Sequence, residues 1–252
     1  MNELFEKLAL GAKVNLFNLG GNPYPGRLIV VGLDETGENL VQVYAIMGRS
    51  ENSRNRVFGC GDNGRLFTEA ADSSKTKDPS LIIYNAMREA HTGIQTLYVV
   101  SNGHQTDAVA DECSRNSLVA TMIKWEYEPD APNFTPRITS VTYWGNAGFP
   151  ISLISILRKS VWSGRCDRHL FGINDIGRGF GYCFHTYSGD GDPLPAFRGE
   201  PYLVPLIGDA NQIADTFWQA LNADNRVSLA VKFIPKDGPS NIFVINKYEK
   251  VG

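Results

Sequence analysis

Arg27-Leu28-Ile29-Val30-Val31-Gly32-Leu33-Asp34-Glu35-Thr36-Gly37-Glu38-Asn39-Leu40-Val41-Gln42-Val43-Tyr44-Ala45-Ile46-Met47 is two apolar runs joined by a turn. Both runs carry Val and Ile among mostly apolar residues and Asp34 to Gly37 is turn chemistry, so the segment predicts a β-hairpin. Many of the later strand-like runs are too apolar on both faces to be solvent-exposed, so a buried two-sheet arrangement is expected.

A second hairpin is expected from Val57 to Cys60 and Leu66 to Thr68, around Gly61-Asp62-Asn63-Gly64. Further strands are expected at Leu81 to Met87, Thr96 to Val100, Arg137 to Trp144, Ile151 to Leu157, Gly181 to Tyr187, Val227 to Ile234 and Asn241 to Ile245. A short amphipathic helix is predicted from Asn2 through Leu4, Phe5 and Leu8, ending before Gly20-Gly21-Asn22-Pro23. Thr106 to Ser114 and Leu118 to Glu126 lack Gly and Pro and read as helices. The strongest helix runs from Asp209 to Asn222, with Asp209 as its cap, Gln212 three residues on, and Ile213, Phe217 and Leu221 recurring every fourth residue. Ser188 to Pro205 reads as a long surface loop. The expectation is one α+β domain over residues 1–252, with 1–22 as a helical extension and helices laid on stacked sheets.

With 42% hydrophobic and 20% charged residues, 252 residues bury a sizeable core. A net charge of -3 offers no broad basic field, which argues against nucleic-acid or anionic-membrane binding. Glu3 and Glu6 stand where a secretory signal carries positive charge, and no apolar run approaches the roughly 20 residues that cross a bilayer. A cytoplasmic location is therefore expected. Cys60, Cys113, Cys166 and Cys183 form no C-x-x-C pair, so they are expected as reduced thiols. Asp190-Gly191-Asp192 and Cys166-Asp167-Arg168-His169 lack the spacing of a complete ligand set, and no metal or other cofactor is expected. The sequence leaves a homo-oligomer open.

Met47-Gly48-Arg49-Ser50-Glu51-Asn52-Ser53-Arg54-Asn55-Arg56 follows the first hairpin and gathers three guanidinium groups among hydrogen-bonding side chains. Arginine's planar fork of donors matches phosphate or carboxylate, and such a loop is suited to hold an anion, although Arg, Asn and Ser also make ordinary solvated turns. Three further polar segments interrupt structural sequence: Asp78 to Asn85, Ser101 to Asp107 and Glu126 to Arg137. Asn102-Gly103, between a strand and a helix, would present backbone N–H groups to a ligand oxygen, or be a capped turn.

Taken together, Tyr24-Pro25-Gly26-Arg27, Arg49-Ser50 with Asn55-Arg56, Tyr84-Asn85, Ser101-Asn102-Gly103 with Thr106-Asp107, and Tyr127-Glu128 with Asn133 and Thr135-Pro136-Arg137-Ile138 resemble the archaeal-type IMP cyclohydrolases and their bacterial relatives. The resemblance is specific from about Tyr24 to Ile138, and His185 to Pro195 also resembles bacterial members. It implies an α+β four-layer αββα sandwich of the N-terminal-nucleophile-hydrolase type, two mainly antiparallel sheets flanked by helices. It also implies a purine-precursor ribonucleotide substrate, 5-formamidoimidazole-4-carboxamide ribonucleotide, closed to IMP with loss of water and no cofactor. Arg56, Tyr84 and Glu128 match the family's catalytic Arg, Tyr and Glu. Arg27, Arg49, Asn55, Asn85, Asn102, Thr106, Asp107 and Arg137 are the implied substrate-binding residues. An Arg56–Glu128 salt bridge with Tyr84 packed on a sheet is the purely structural alternative. An amide hydrolase on the same sandwich would need a Cys, Ser or Thr at the mature N-terminus, where this chain reads Met1-Asn2-Glu3. A purine-ribonucleotide-binding module without catalysis is the remaining alternative.

Overall fold

The turn of the first hairpin is organised by one carboxylate. Asp34 Oδ1 accepts from the backbone N–H groups of Gly37 at 2.8 Å and Glu38 at 3.1 Å, and its other oxygen accepts from the Asn39 side chain. Gly37, at φ +75°, takes the left-handed conformation that this reversal requires. The turn sets the register of β1 (Arg27–Leu33) against β2 (Asn39–Met47), from Leu33 opposite Leu40 to Arg27 opposite Ile46. The computed structural model describes residues 3–76, 79, 82–113, 117–145 and 148–250.

The remaining elements, in chain order, are α1 (Glu3–Gly21) ahead of the hairpin, then α2 (Glu51–Arg54), β3 (Val57–Gly61), β4 (Arg65–Glu69), β5 (Asn85–His91), β6 (Thr96–Ser101), α3 (Gln105–Glu112) and α4 (Leu118–Ile123). They continue with β7 (Arg137–Trp144), β8 (Pro150–Lys159), β9 (Cys166–Ile173), β10 (Phe180–His185), β11 (Tyr202–Pro205), α5 (Ala210–Ala220), β12 (Arg226–Pro235) and β13 (Asn241–Asn246). Two antiparallel sheets result. The first has order β11-β10-β1-β2-β12-β13 and the second β3-β4-β5-β6-β7-β8-β9.

Burial follows the parity of the hairpin. Leu28, Val30, Val41, Val43 and Ala45 face outward and pack with Leu19 of α1 and with Ile213, Ala214 and Phe217 of α5. Ile29, Val31, Tyr44 and Ile46 face inward and meet Val100, Ile138, Ile154 and Ile156 of the second sheet. On that sheet's other side, Val99 and Val141 pack with Val109 and Ala110 of α3 and Met122 of α4. The layers are therefore helix, sheet, sheet, helix. Helix α5 begins as its sequence predicts, with Asp209 accepting from Asn211 and Gln212 N–H at 2.9 Å and Gln212 returning an oxygen to Asp209 N–H.

Three expectations need correction. The strand expected at Leu81 to Met87 forms at Asn85–His91, because Ile82 and Ile83 turn back on Pro79 O and the Thr68 hydroxyl donates to Ile82 O at 2.6 Å. Strand β9 was not expected, since Asp167, Arg168 and His169 mask its alternation on an edge strand. Part of the expected loop, Tyr202 to Pro205, is an edge strand against β10. Helix α1 extends to nineteen residues and α4 stops at Ile123. Asn2, Asp78, Ser80, Leu81 and Ser114, which figure in the expected elements, lie outside the described residues. Among the described residues no helix is long and apolar enough to cross a membrane.

His185 gives the fold a testable acid sensitivity. It is buried beside Phe197, with centroids 4.2 Å apart, and its Nδ1–H donates to Tyr187 O at 2.9 Å. Burial pushes its pKa down to about 4, against the Tyr187 carbonyl, which favours the proton. The folded state binds this proton less readily than the unfolded chain, so stability is intact above about pH 6.5 and is lost as pH falls toward about 4. Over that window the loss reaches about 3 kcal/mol. Denaturant unfolding of His185→Asn, which keeps an N–H for the carbonyl, is expected to show a shallower fall in stability between pH 7 and 5 than the wild-type chain.

Candidate active site

At one end of the space between the sheets the apolar filling gives way to charge. Strand β1 enters through Gly26 at φ +79°, where an added Cβ would stand 2.3 Å from Thr186 Oγ1 and 2.5 Å from the Tyr187 ring. Only glycine fits this approach. Arg27 follows with the inward parity of Ile29 and Val31. At the far end of β2, Ser50 caps the short α2, accepting from Ser53 N–H at 3.2 Å, and the loop closes back on the strand. Arg56 is held there by two carbonyls: Nε donates to Ser53 O at 2.8 Å and Nη2 to Met47 O at 3.1 Å. Its Nη1 is buried without a hydrogen-bond partner, and among the described residues Arg56 has no ion pair, although the residue is 1% exposed.

The second sheet contributes Tyr84 and Glu128. Tyr84 immediately precedes β5, fixed by the Thr68 hydroxyl accepting from its N–H at 2.9 Å, and its own hydroxyl lies 2.7 Å from that of Tyr44. Glu128 sits in the segment between α4 and β7, its N–H donating to Thr135 O at 2.8 Å. Its carboxylate is 3.9 Å from Arg27 Nη2 and 3.9 Å from Arg137 Nη1, with the Asn102 amide 3.5 Å away. These are ion-pair distances, longer than good hydrogen bonds, so both oxygens keep accepting capacity. The Arg56–Glu128 bridge of the purely structural alternative is absent among the described residues; Glu128 pairs with Arg27 and Arg137.

Desolvation dominates the electrostatics. Burial raises the Glu128 pKa above the usual carboxylate range, against the opposing pull of Arg27 and Arg137. Burial and the like charge of Arg27 lower that of Arg56, while the Tyr84 and Tyr44 hydroxyls favour its cation. For Arg27, burial opposes the charge but Glu128, Tyr84, Tyr187 and Tyr44 together hold the pKa above its usual value. Glu128 thus pairs with two of three guanidiniums, and with Asp130 also acting on Arg137 a local excess of positive charge remains that a bound or developing anion would relieve.

The other sequence candidates divide. Asn102 is structural glue for the site: its Oδ1 accepts from Ile138 N–H at 2.8 Å and Gln105 Nε2 at 3.0 Å, and its Nδ2 donates to Pro136 O. Gln105 in turn accepts from Arg137 Nη1 at 2.8 Å, and Arg137 lies 5.1 Å over the Trp125 ring. Gly103 leaves room between them, since a Cβ there would be 2.7 Å from Arg137 Nη1 and 3.5 Å from Glu128 Oε1. Thr106 bonds to Gly103 O and Ser101 at the start of α3. Asn85 donates to Asp107, which also pairs with Arg88. Asn55 spends its amide on the Asp72 backbone, at 2.7 Å in both directions. Arg49 stands at the rim, 5.2 Å over the Tyr24 ring, and is paired with Asp190.

Sequence reasoning passed over Tyr44, Gln105 and Tyr187. Tyr44 lies inside an apolar strand and reads as core; only its shared parity with Ile46 and Gln42 placed it inward. Tyr187 stacks on Tyr24 at 5.9 Å and shares a hydroxyl contact with Thr135, whose N–H donates to Asp130 at 2.7 Å. Chemically the cluster offers a buried cation with an unused donor, a phenol, and a carboxyl with raised proton affinity. That combination suits charge stabilisation coupled to proton transfer.

No curated protein matches this chain, and no solved structure does. The family model described as IMP cyclohydrolase-like protein matches residues 24–238, a span that takes in every side chain of the cluster and both sheets up to the end of β12. The protein belongs to the IMP cyclohydrolase-like family.

Proposed function

We propose that the protein closes 5-formamidoimidazole-4-carboxamide ribonucleotide to IMP, the ring-forming step of purine biosynthesis, at the Arg56–Tyr84–Glu128 cluster. Family membership supports the reaction class. The observation that carries the reading is Arg56, a buried cation whose Nη1 has no hydrogen-bond partner and which, among the described residues, pairs with no carboxylate.

In this reaction the carboxamide nitrogen attacks the formyl carbon, the carbonyl oxygen becomes a tetrahedral oxyanion, and that oxygen leaves as water. The substrate carries both reacting groups on one imidazole, so proximity is built in and the enzyme fixes rotamers and protons. Glu128 takes the nitrogen's proton, Arg56 Nη1 stabilises the oxyanion, and Tyr84 protonates the departing oxygen. That first proton makes the oxygen a hydroxyl, and the Glu128 proton passes to the Tyr84 oxygen. As the C=N bond forms, the formamide N–H gives the second proton to Glu128 while Tyr84 donates again, so the oxygen leaves as water and a last transfer from Glu128 to Tyr84 resets the site. Arg27 and Arg137 flank Glu128 and hold it in place. Arg49, at the rim, exchanges Asp190 for the substrate phosphate.

Incubating purified protein with the formamido ribonucleotide and following IMP by absorbance is the direct test; no IMP from folded protein overturns the reading. Arg56→Ala and Glu128→Gln are expected to lower kcat by about 10²–10³, the usual loss for a transition-state contact, with Tyr84→Phe in the same direction. Arg49→Ala is expected to raise KM with kcat nearly unchanged.

The pH profile is a separate test. Glu128 acts as a carboxylate, and burial raises its pKa, so it stays protonated at pH values where an exposed glutamate is already ionised. The acid limb of kcat/KM is therefore expected above the roughly 4.3 of an unperturbed glutamate. A limb at or below that value, measured on folded protein, contradicts Glu128 as the base.

A further inference from the structure

Neither hydroxyl of the buried Tyr44–Tyr84 pair has another hydrogen-bond partner among the described residues. The polarity of the pair therefore follows from which proton gains an acceptor when substrate binds, and on the reading above that is the Tyr84 proton at the departing oxygen. The two oxygens are 2.7 Å apart, and either could donate on distance alone. Tyr44 is 0% exposed, between the sheets, and among the described residues its hydroxyl has no other hydrogen-bond partner than Tyr84. Were Tyr84 to donate to Tyr44 with substrate bound, the Tyr44 proton would be buried with nothing to accept it, which is the costly arrangement. The nearest charged groups that act on Tyr44 are Arg27 and Arg56, which are donors only. They offer its proton no acceptor.

We propose that Tyr44 is a positioning residue for ring closure: its hydroxyl donates to the Tyr84 oxygen and so leaves the Tyr84 proton free to point at the reacting atoms. The proposal rests on the cyclohydrolase reading given above. Tyr44 touches no substrate and moves no proton itself. It fixes which way the Tyr84 O–H bond points, and its donated hydrogen bond stabilises the oxygen from which the proton departs. The inward parity of β2 places it for this role, with Ile46 on one side and Gln42 on the other completing the same face.

The test compares Tyr44→Phe, Tyr84→Phe and the double variant in steady-state ring closure, each with a thermal melt to establish folding. Loss of one neutral hydrogen bond predicts about tenfold lower kcat for Tyr44→Phe with KM within about twofold. Because Tyr44 acts through Tyr84, the double variant is expected to be no slower than Tyr84→Phe alone. Full kcat in Tyr44→Phe, or a double variant slower by the product of the two single losses, overturns the proposal while the cyclohydrolase reading stands. If Tyr44→Phe does not fold, 2,3-difluorotyrosine at position 44, the same shape with a more acidic hydroxyl, takes its place: altered kcat supports the role and unchanged kcat overturns it. Absence of ring closure by the wild-type protein removes the reading itself, and this proposal with it.

Discussion

Keeping Arg56 charged between two sheets is the constraint on which the rest of the site depends. A guanidinium removed from water loses several kcal/mol of solvation, which an isolated cation in an apolar core does not recover. Here two backbone carbonyls, Ser53 O and Met47 O, take two of its donors, and the nearby Tyr84 and Tyr44 favour its charged form. No carboxylate neutralises it among the described residues; the one nearby, Glu128, is engaged by Arg27 and Arg137. The site is thus arranged with unmet demand for negative charge, which raises the value of any anion that forms there.

That arrangement needs backbone more than side chains to hold it. Gly26 lets β1 pass against Thr186 and Tyr187, and Gly103 leaves the space in which Arg137, Gln105 and Glu128 meet. Asn102 ties β6 to the start of β7 through Ile138 N–H and Pro136 O, which fixes the strand bearing Arg137 against its neighbour. The first sheet delivers Arg27, Tyr44 and, through its following loop, Arg56; the second delivers Tyr84, Glu128 and Arg137. Each half by itself carries a charge that is poorly compensated, and apposing the sheets is what brings opposite charges and hydroxyls within reach.

Much of this was legible beforehand. The hairpin at Arg27 to Met47, the Asn63-Gly64 turn and the capped α5 stripe are local patterns, in which neighbouring residues decide the outcome through steric and capping preferences. Edge strands were not: β9 hides its alternation behind Asp167, Arg168 and His169, because one face of an edge strand is free to be polar. The strand after Thr68 starts four residues later than its apolar run suggests, since a side chain far upstream captures the backbone of Ile82 and Tyr84.

The sequence by itself determined the type of most elements outside the edge strands, the two-faced burial of the central strands, and the set of Arg, Tyr and Glu residues whose chemistry is worth pairing. Only the tertiary structure decided who pairs with whom: Glu128 with Arg27 and Arg137 rather than Arg56, Asn55 with the Asp72 backbone, Arg49 with Asp190, and Tyr44 with Tyr84. The reason is physical. Local propensity acts over a few residues, whereas the energy of a charge or a buried hydroxyl depends on every group within several ångströms, and those groups come from both sheets and from chain positions up to 141 residues apart.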